Sequence, residues 1–170
     1  MANPYFIADD AQSAKEAEFF CTVDGKRYPM LNAKNFEAKA AISLTDVKTL
    51  GNLITQKKPS GLEIKLKFTV YKCSEMFDDL ITNYKNTGKL PRFECQVTQE
   101  DKSSSVGRSS KVYKDCIIDG EVLLSMFDAD GDFIEQEIEA YAMDFEAPEK
   151  YTAPDYMMGS DISVNKKKSK

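Results

Sequence analysis

The chain has 170 residues, 30% charged and 42% hydrophobic, with a net charge of −5, and surface scaling at this mass predicts ~8,400 Å² folded against ~27,700 Å² unfolded, enough burial for one core. Histidine is absent, which excludes Ser/His and Cys/His nucleophile pairs, imidazole metal ligands and histidine general bases. Tryptophan is absent too, weakening a sugar-stacking glycosidase, and the negative charge argues against a surface that binds nucleic acid all round.

In chain order, residues 1–16 are polar, lack sustained periodicity and read as an N-terminal arm; no basic stretch precedes an apolar one, so no signal peptide is expected. No run approaches the about 18 apolar residues of a membrane span, so membrane insertion is not expected. Residues 18–23 read as a strand, Asp24-Gly25 as a hairpin turn and 26–30 as the return strand. Across 34–45 the alternation is strict: Phe36, Ala38, Ala40, Ile42 and Leu44 share one face, Asn35, Glu37, Lys39, Ser43 and Thr45 the other. The pattern returns at 62–72, with Leu62, Ile64, Leu66, Phe68 and Val70 opposite Glu63, Lys65, Lys67, Thr69 and Tyr71. At about 3.3 Å per residue this second strand would run ~36 Å, twice the usual length. Residues 46–61, with Gly51, Pro59 and Gly61, read as a long projecting hairpin loop.

A helix is predicted over 74–87, with Ser74 as N-cap, Met76, Phe77, Leu80, Ile81 and Tyr84 forming an apolar stripe, and Gly88 as terminator. Its stripe should cover the β core. Strands are then expected over 92–97, 111–118, 121–127 and 133–143, separated by a flexible Ser/Gly-rich loop at 101–110 and turns at Asp119-Gly120 and 128–132. Residues 149–170 read as a C-terminal tail ending in Lys166, Lys167, Lys168 and Lys170.

Few constellations carry chemistry. Cys21, Cys73, Cys95 and Cys116 form no CxxC pair and read as reduced thiols, mostly buried. Asp128-Ala129-Asp130-Gly131-Asp132 places Gly fourth, where a calcium loop of the EF-hand type needs it sixth, and is read as a carboxylate-rich turn. The run 103–110 lacks the GK[ST] ending of a phosphate loop. Catalytic residues, metal and cofactor are therefore all expected to be none. Glu135, Glu137 and Glu139 fall on one face of a strand at ~6.6–6.8 Å spacing, either as an ordinary solvated face or as an acidic wall, with Lys65 or Lys67 as cross-strand partners.

A long two-faced strand left at a sheet edge is an aggregation template unless it is paired or covered. A barrel shared among copies removes that edge and gives a buried apolar side and a polar side lining water. The alternatives are a monomeric β-barrel ligand-binding module and a carboxylate enzyme, for which no acid pair is identified by spacing.

The order Phe36-Glu37-Ala38, Leu50-Gly51, Gly61, Val70-Tyr71-Lys72, Met76-Phe77 through Tyr84 to Gly88, and Leu90-Pro91-Arg92-Phe93 resembles the tail tube protein of PBSX-like contractile phage tails and phage tail-like bacteriocins. The resemblance continues through Asp101, Ser104, Gly107, the 112–116 strand and Asp144-Phe145-Glu146-Ala147-Pro148. It implies a mainly β (α+β) fold: a β-sandwich or barrel subunit spanning 17–148, with a long β-hairpin and one helix, assembling into a ring-shaped shared β-barrel. It further implies hexameric rings stacked into a hollow conduit for DNA or a penetrating tip, assembled in the host bacterial cytoplasm into a virion or tail-like particle. The partners it implies are the chain itself, a contractile sheath, a baseplate hub, a tape-measure protein and passing DNA. Residues Leu50, Gly51, Asn52, Leu53, Ile54, Gln56, Lys57 and Lys58 would contact the neighbouring ring. Glu37, Lys39, Glu63, Lys65, Lys67, Glu135, Glu137 and Glu139 are the candidates for the lumen face, the lysines departing from a purely acidic lumen.

Overall fold

A computed structural model describes residues 5–159; the Lys166–Lys170 cluster lies outside them. Eight strands and one helix follow in the order β1 Ala17–Val23, β2 Lys26–Pro29, β3 Ala33–Val47, β4 Gln56–Tyr71, α1 Met76–Thr87, β5 Phe93–Glu100, β6 Arg108–Asp119, β7 Glu135–Ala142 and β8 Asp144–Glu149. The ladder runs β2-β1-β5-β6-β7-β4-β3, all antiparallel, with β8 added to β6.

β6 belongs to two layers. Its residues 108–116 pair with β5 and, in part, β8, whereas Ile117, Ile118 and Asp119 pair with β7. Between Tyr113, opposite Cys95, and Cys116, opposite Phe93, the register slips by one residue, and Asp115 there takes φ +50°, a bulge that bends the strand just before it passes to the other layer. The layers face each other through aromatic rings: Phe19 of β1 lies 4.9 Å from Phe36 of β3 and 5.2 Å from Phe68 of β4, and Phe36 lies 5.9 Å from Tyr113 of β6. The helix closes one end of this sandwich, with Phe77 set 5.7 Å from Phe68 and 6.1 Å from Phe93. The ladder does not close into a barrel in one copy, because β2 and β3 stand at its two ends.

The Asp24-Gly25 turn has φ of +50° and +76°, the geometry that the right-handed twist of a two-residue hairpin demands. The helix stripe buries Phe77 and Leu80 and leaves Tyr84 exposed; Gly88, at φ +74°, donates its N–H to the Tyr84 carbonyl and ends the helix. Glu75, not Ser74, occupies the N-cap position and no side chain caps it.

Three strand assignments differ from the sequence reading. Half of 46–61 is ladder: β3 runs to Val47 and β4 begins at Gln56, leaving 48–55 as the loop. Ser60 is an extra residue between Gly61, opposite Ser43, and Pro59, opposite Leu44, and this bulge carries the strand past its two breakers. Pro59 is tolerated because β7 pairs with β4 only from Ile64 onward, so the far side of β4 needs no donor there. Residues 121–127 form no strand and pair with none of the ladder's strands. Conversely, β8 forms where the sequence lacks alternation, because β6 presents an open edge to it.

The arm is held down. Asp10 Oδ1 accepts from Ser105 Oγ (2.6 Å) and Ser105 N (3.2 Å), its Oδ2 accepts from Tyr156 Oη (2.6 Å), and Asp101 Oδ2 accepts from Ser13 N (2.9 Å). This clasp joins residues 5–13, the 101–107 loop and the segment after β8, and the loop read as flexible is its centre.

Candidate functional site

The charged face is built by β3, β4 and β7. Their registers align Glu37 with Lys67 and Lys67 with Glu139, Lys39 with Lys65 and Lys65 with Tyr141, Thr69 with Glu137, and Tyr71 with Glu135; Glu63 faces Ala41. Period-two alternation does the rest: Ile64, Leu66, Phe68, Val70, Gln136, Ile138 and Ala140 point into the core, so the eight charged candidates share the outer side. All eight are exposed, five carboxylates against three lysines.

Lys67 reaches Glu137 at 3.0 Å and Glu139 at 3.7 Å, Lys34 reaches Glu135 at 2.9 Å, and Lys39 pairs with Glu37 along its own strand. Lys39 and Lys65 stand directly opposite, a like-charge pair that costs stability; Lys65 turns over the Tyr141 ring at 5.8 Å. The hydrogen bond and charge of Lys39 hold the Glu37 carboxyl below its ordinary value, while Glu137 and Glu135 raise Lys67 and Lys34 through the same two effects. Glu37, Lys39, Lys65, Lys67, Glu139 and Tyr141 border a shallow depression of about 300 Å³. The face is mixed and mildly acidic rather than a pure acid wall, and such exposed pairs contribute little to folding, roughly 0–1 kcal/mol each.

The second surface is the outer half of the β3–β4 hairpin. At about 3.3 Å per residue the 15 and 16 residues of these strands span ~50 Å, far beyond the sandwich. On the side that packs the core at its inner end, Ile42, Leu44 and Leu62 are more than half exposed at the outer end. Beyond them Leu50 and Leu53 are fully exposed and Ile54 nearly so. Gly51 at φ +77° and the Asn52 Oδ1, which accepts from Ile54 N at 3.0 Å, shape the turn; Gln56, Lys57 and Lys58 lie on β4, Lys57 paired with Asp46 at 2.6 Å. Among the described residues no group of three or more His, Cys, Asp or Glu is placed to hold a metal ion, and no helix is long and apolar enough to cross a membrane.

Sequence reasoning missed two features of this surface. One is the open mouth between the layers, lined by strands distant in sequence; the other is the connection between β6 and β7, whose strand-like composition stays exposed.

A half-open β-sandwich with a hairpin too long for its own core has the form of a subunit that is completed by its neighbours. The chain belongs to the phage tail tube protein family, whose model matches residues 5–149, and as a member it is a structural component of a tail particle. It is 30% identical over 143 residues to the phage-like element PBSX protein XkdM of Bacillus subtilis, covering 84% of this chain and 94% of that protein. The fold is similar to that of a chain in an extracellular contractile injection system, the PVC sheath-tube complex in its extended state (TM-score 0.55, 13% identity, 76% of this chain and 86% of that one). It is equally similar to the SPP1 tail tube (TM-score 0.55, 13% identity, 80% and 78%).

Proposed function

We propose that the chain builds the inner tube of a contractile tail or injection particle, six copies closing a ring and rings stacking into a hollow conduit. One observation carries this reading: the two-faced β3–β4 hairpin leaves its own core, with the outer edge of β3 unpaired among the described residues. Lateral pairing of β3 would extend the β3–β4–β7 layer into a shared barrel, its charged face lining the lumen and its apolar face lying under the subunit. The excess of carboxylates there would let DNA, or a penetrating tip, pass without sticking. The 48–55 tip and the start of β4 would bridge to the next ring. Six-fold symmetry agrees with a similar chain solved in the six-fold symmetrised anti-feeding prophage baseplate (TM-score 0.56, 6% identity).

This reading assigns a surrounding sheath, a baseplate hub and a tape-measure protein as partners, assembly in the host bacterial cytoplasm, and no catalytic role. Electron microscopy of the concentrated protein is expected to show stacked six-fold rings. The variant Leu50→Ser/Leu53→Ser/Ile54→Ser is expected to fold and form rings that do not stack. Tubes unchanged by the triple substitution would remove the tip from the ring contact, and a wild-type chain monomeric at every concentration would refute the tube.

A further inference from the structure

We propose that the connection between β6 and β7, residues 120–134, is a docking element that a second copy receives in the cleft between its two layers, joining neighbours head to tail; this rests on the tube reading above. The element has the composition of a buried strand, but beyond Val122 and an edge-on contact of Phe133 with Tyr71 at 6.1 Å its large apolar side chains stand in the open. Leu124, Met126, Phe127 and Phe133 are exposed, Phe127 to 94%. Its root is anchored: Val122 packs against the core, and Lys72, paired with Asp78 at 2.9 Å, donates to the Leu123 carbonyl. Between the apolar arms the chain turns at Asp128, whose carbonyl accepts from Gly131 N at 3.3 Å and whose Oδ1 accepts from Asp130 N at 3.0 Å. The result is an apolar projection tipped by Asp128, Asp130 and Asp132.

The receptor has the complementary character. The mouth of the sandwich is a cleft of about 670 Å³ floored by Phe19, Phe36, Val97 and Tyr113. Lys15, Lys34 and Lys111 line it against a single carboxylate, Glu18. Glu135 already engages Lys34, whereas Lys15 and Lys111 are in no ion pair among the described residues. Apolar side chains would thus meet an apolar floor, and three aspartates two unengaged lysines. The projection leaves beside β7, while the cleft opens along β3, on the other side of β4 in the strand order. Donor and acceptor are different patches, so the contact is heterologous and propagates around a ring instead of stopping at a pair.

The test uses the full chain carrying Cys73→Ser, with Phe127→Cys on the projection and Leu31→Cys at the cleft, positions 94% and 91% exposed and therefore harmless to folding. A short bismaleimide should give a multimer ladder when both cysteines are present, dimers when the two single variants are mixed, and monomer from either alone. Asp128→Lys/Asp130→Lys should lower the yield about tenfold, as should Lys15→Glu/Lys111→Glu, and combining the two reversals should restore it. Rings or tubes by electron microscopy without intermolecular product would overturn the docking and leave the tube reading standing; product without tubes would support the docking and remove the tube reading. Yields unmoved by either reversal would overturn the assignment of the lysines as receptor.

Discussion

Phe68 and Leu62 sit on the same strand and the same face, six residues apart, one buried and the other exposed, and the proposed tube gives them opposite duties. Phe68 has no exposed surface, and its ring lies 5.2 Å from Phe19, 6.0 Å from Phe36 and 5.7 Å from Phe77. Phe68→Ala therefore removes the centre of the aromatic cluster, and a buried Phe→Ala typically costs about 3–5 kcal/mol. The loss of three ring contacts places this site toward the upper end. For a chain of this size each kcal/mol lowers Tm by about 2–4 °C, so a drop of about 10 °C or more is expected. Leu62 is 58% exposed, and Leu62→Ala should cost the isolated subunit about 1 kcal/mol at most. In the assembled tube the order reverses for Leu62, whose substitution should weaken assembly more than folding. The assay is thermal or urea unfolding at a dilution where sedimentation shows monomer, set beside electron microscopy at high concentration. Equal destabilisation of the monomer at both positions would refute the division of β4 into a core half and an assembly half.

The clasp should open in acid. Hydrogen bonds from the Ser105 hydroxyl, then Tyr156, then the Ser105 amide hold Asp10 below its ordinary value; the Ser103 hydroxyl, the Ser103 amide and the Ser13 amide do the same for Asp101. A depressed folded value means that the contribution is complete above the unfolded carboxylate value of about 3.9 and is lost as pH falls through the folded one. Amide exchange at Ser13 and Ser105 should accelerate only in that acid window, and Tyr156→Phe should raise the Asp10 midpoint; an Asp10 titrating at or above the ordinary value by NMR would refute the clasp. Thiol chemistry gives a separate check. Cys21, Cys95 and Cys116 are fully buried and Cys73 is exposed, and burial, followed by hydrogen bonds from Cys116 and Cys21, pushes the Cys95 thiol well up. A maleimide should label Cys73 alone in the native chain and the other three only after denaturation; fast labelling of Cys95 in the native state would refute the packing.

Much of the two-faced hairpin was legible in the order of residues. Alternation across Phe36 to Leu44 and Leu62 to Val70 separates an apolar from a charged face without reference to any neighbour, because successive side chains must point to opposite sides of an extended chain. The same local chemistry names the Asp24-Gly25 turn, the α1 stripe and the Gly88 stop. The signal failed where the deciding partner is remote. Pro59 and Gly61 read as breakers, yet a bulge opposite Ser43 and Leu44 carries the ladder past them. Glu121 to Phe127 reads as a strand, yet it joins no strand of the copy, while Asp144–Glu149 is recruited by the open side of β6.

The sequence by itself determined that this protein has two-faced strands too long for one small core, an amphipathic helix and no histidine chemistry, since these follow from periodicity and composition. Only the tertiary structure decided that the layers meet through Phe19, Phe36 and Phe68, that Lys67 serves Glu137 and Glu139, and that the mouth between the layers stays open. Such contacts depend on register and on which edges remain unpaired, and both are properties of residues brought together from distant parts of the chain.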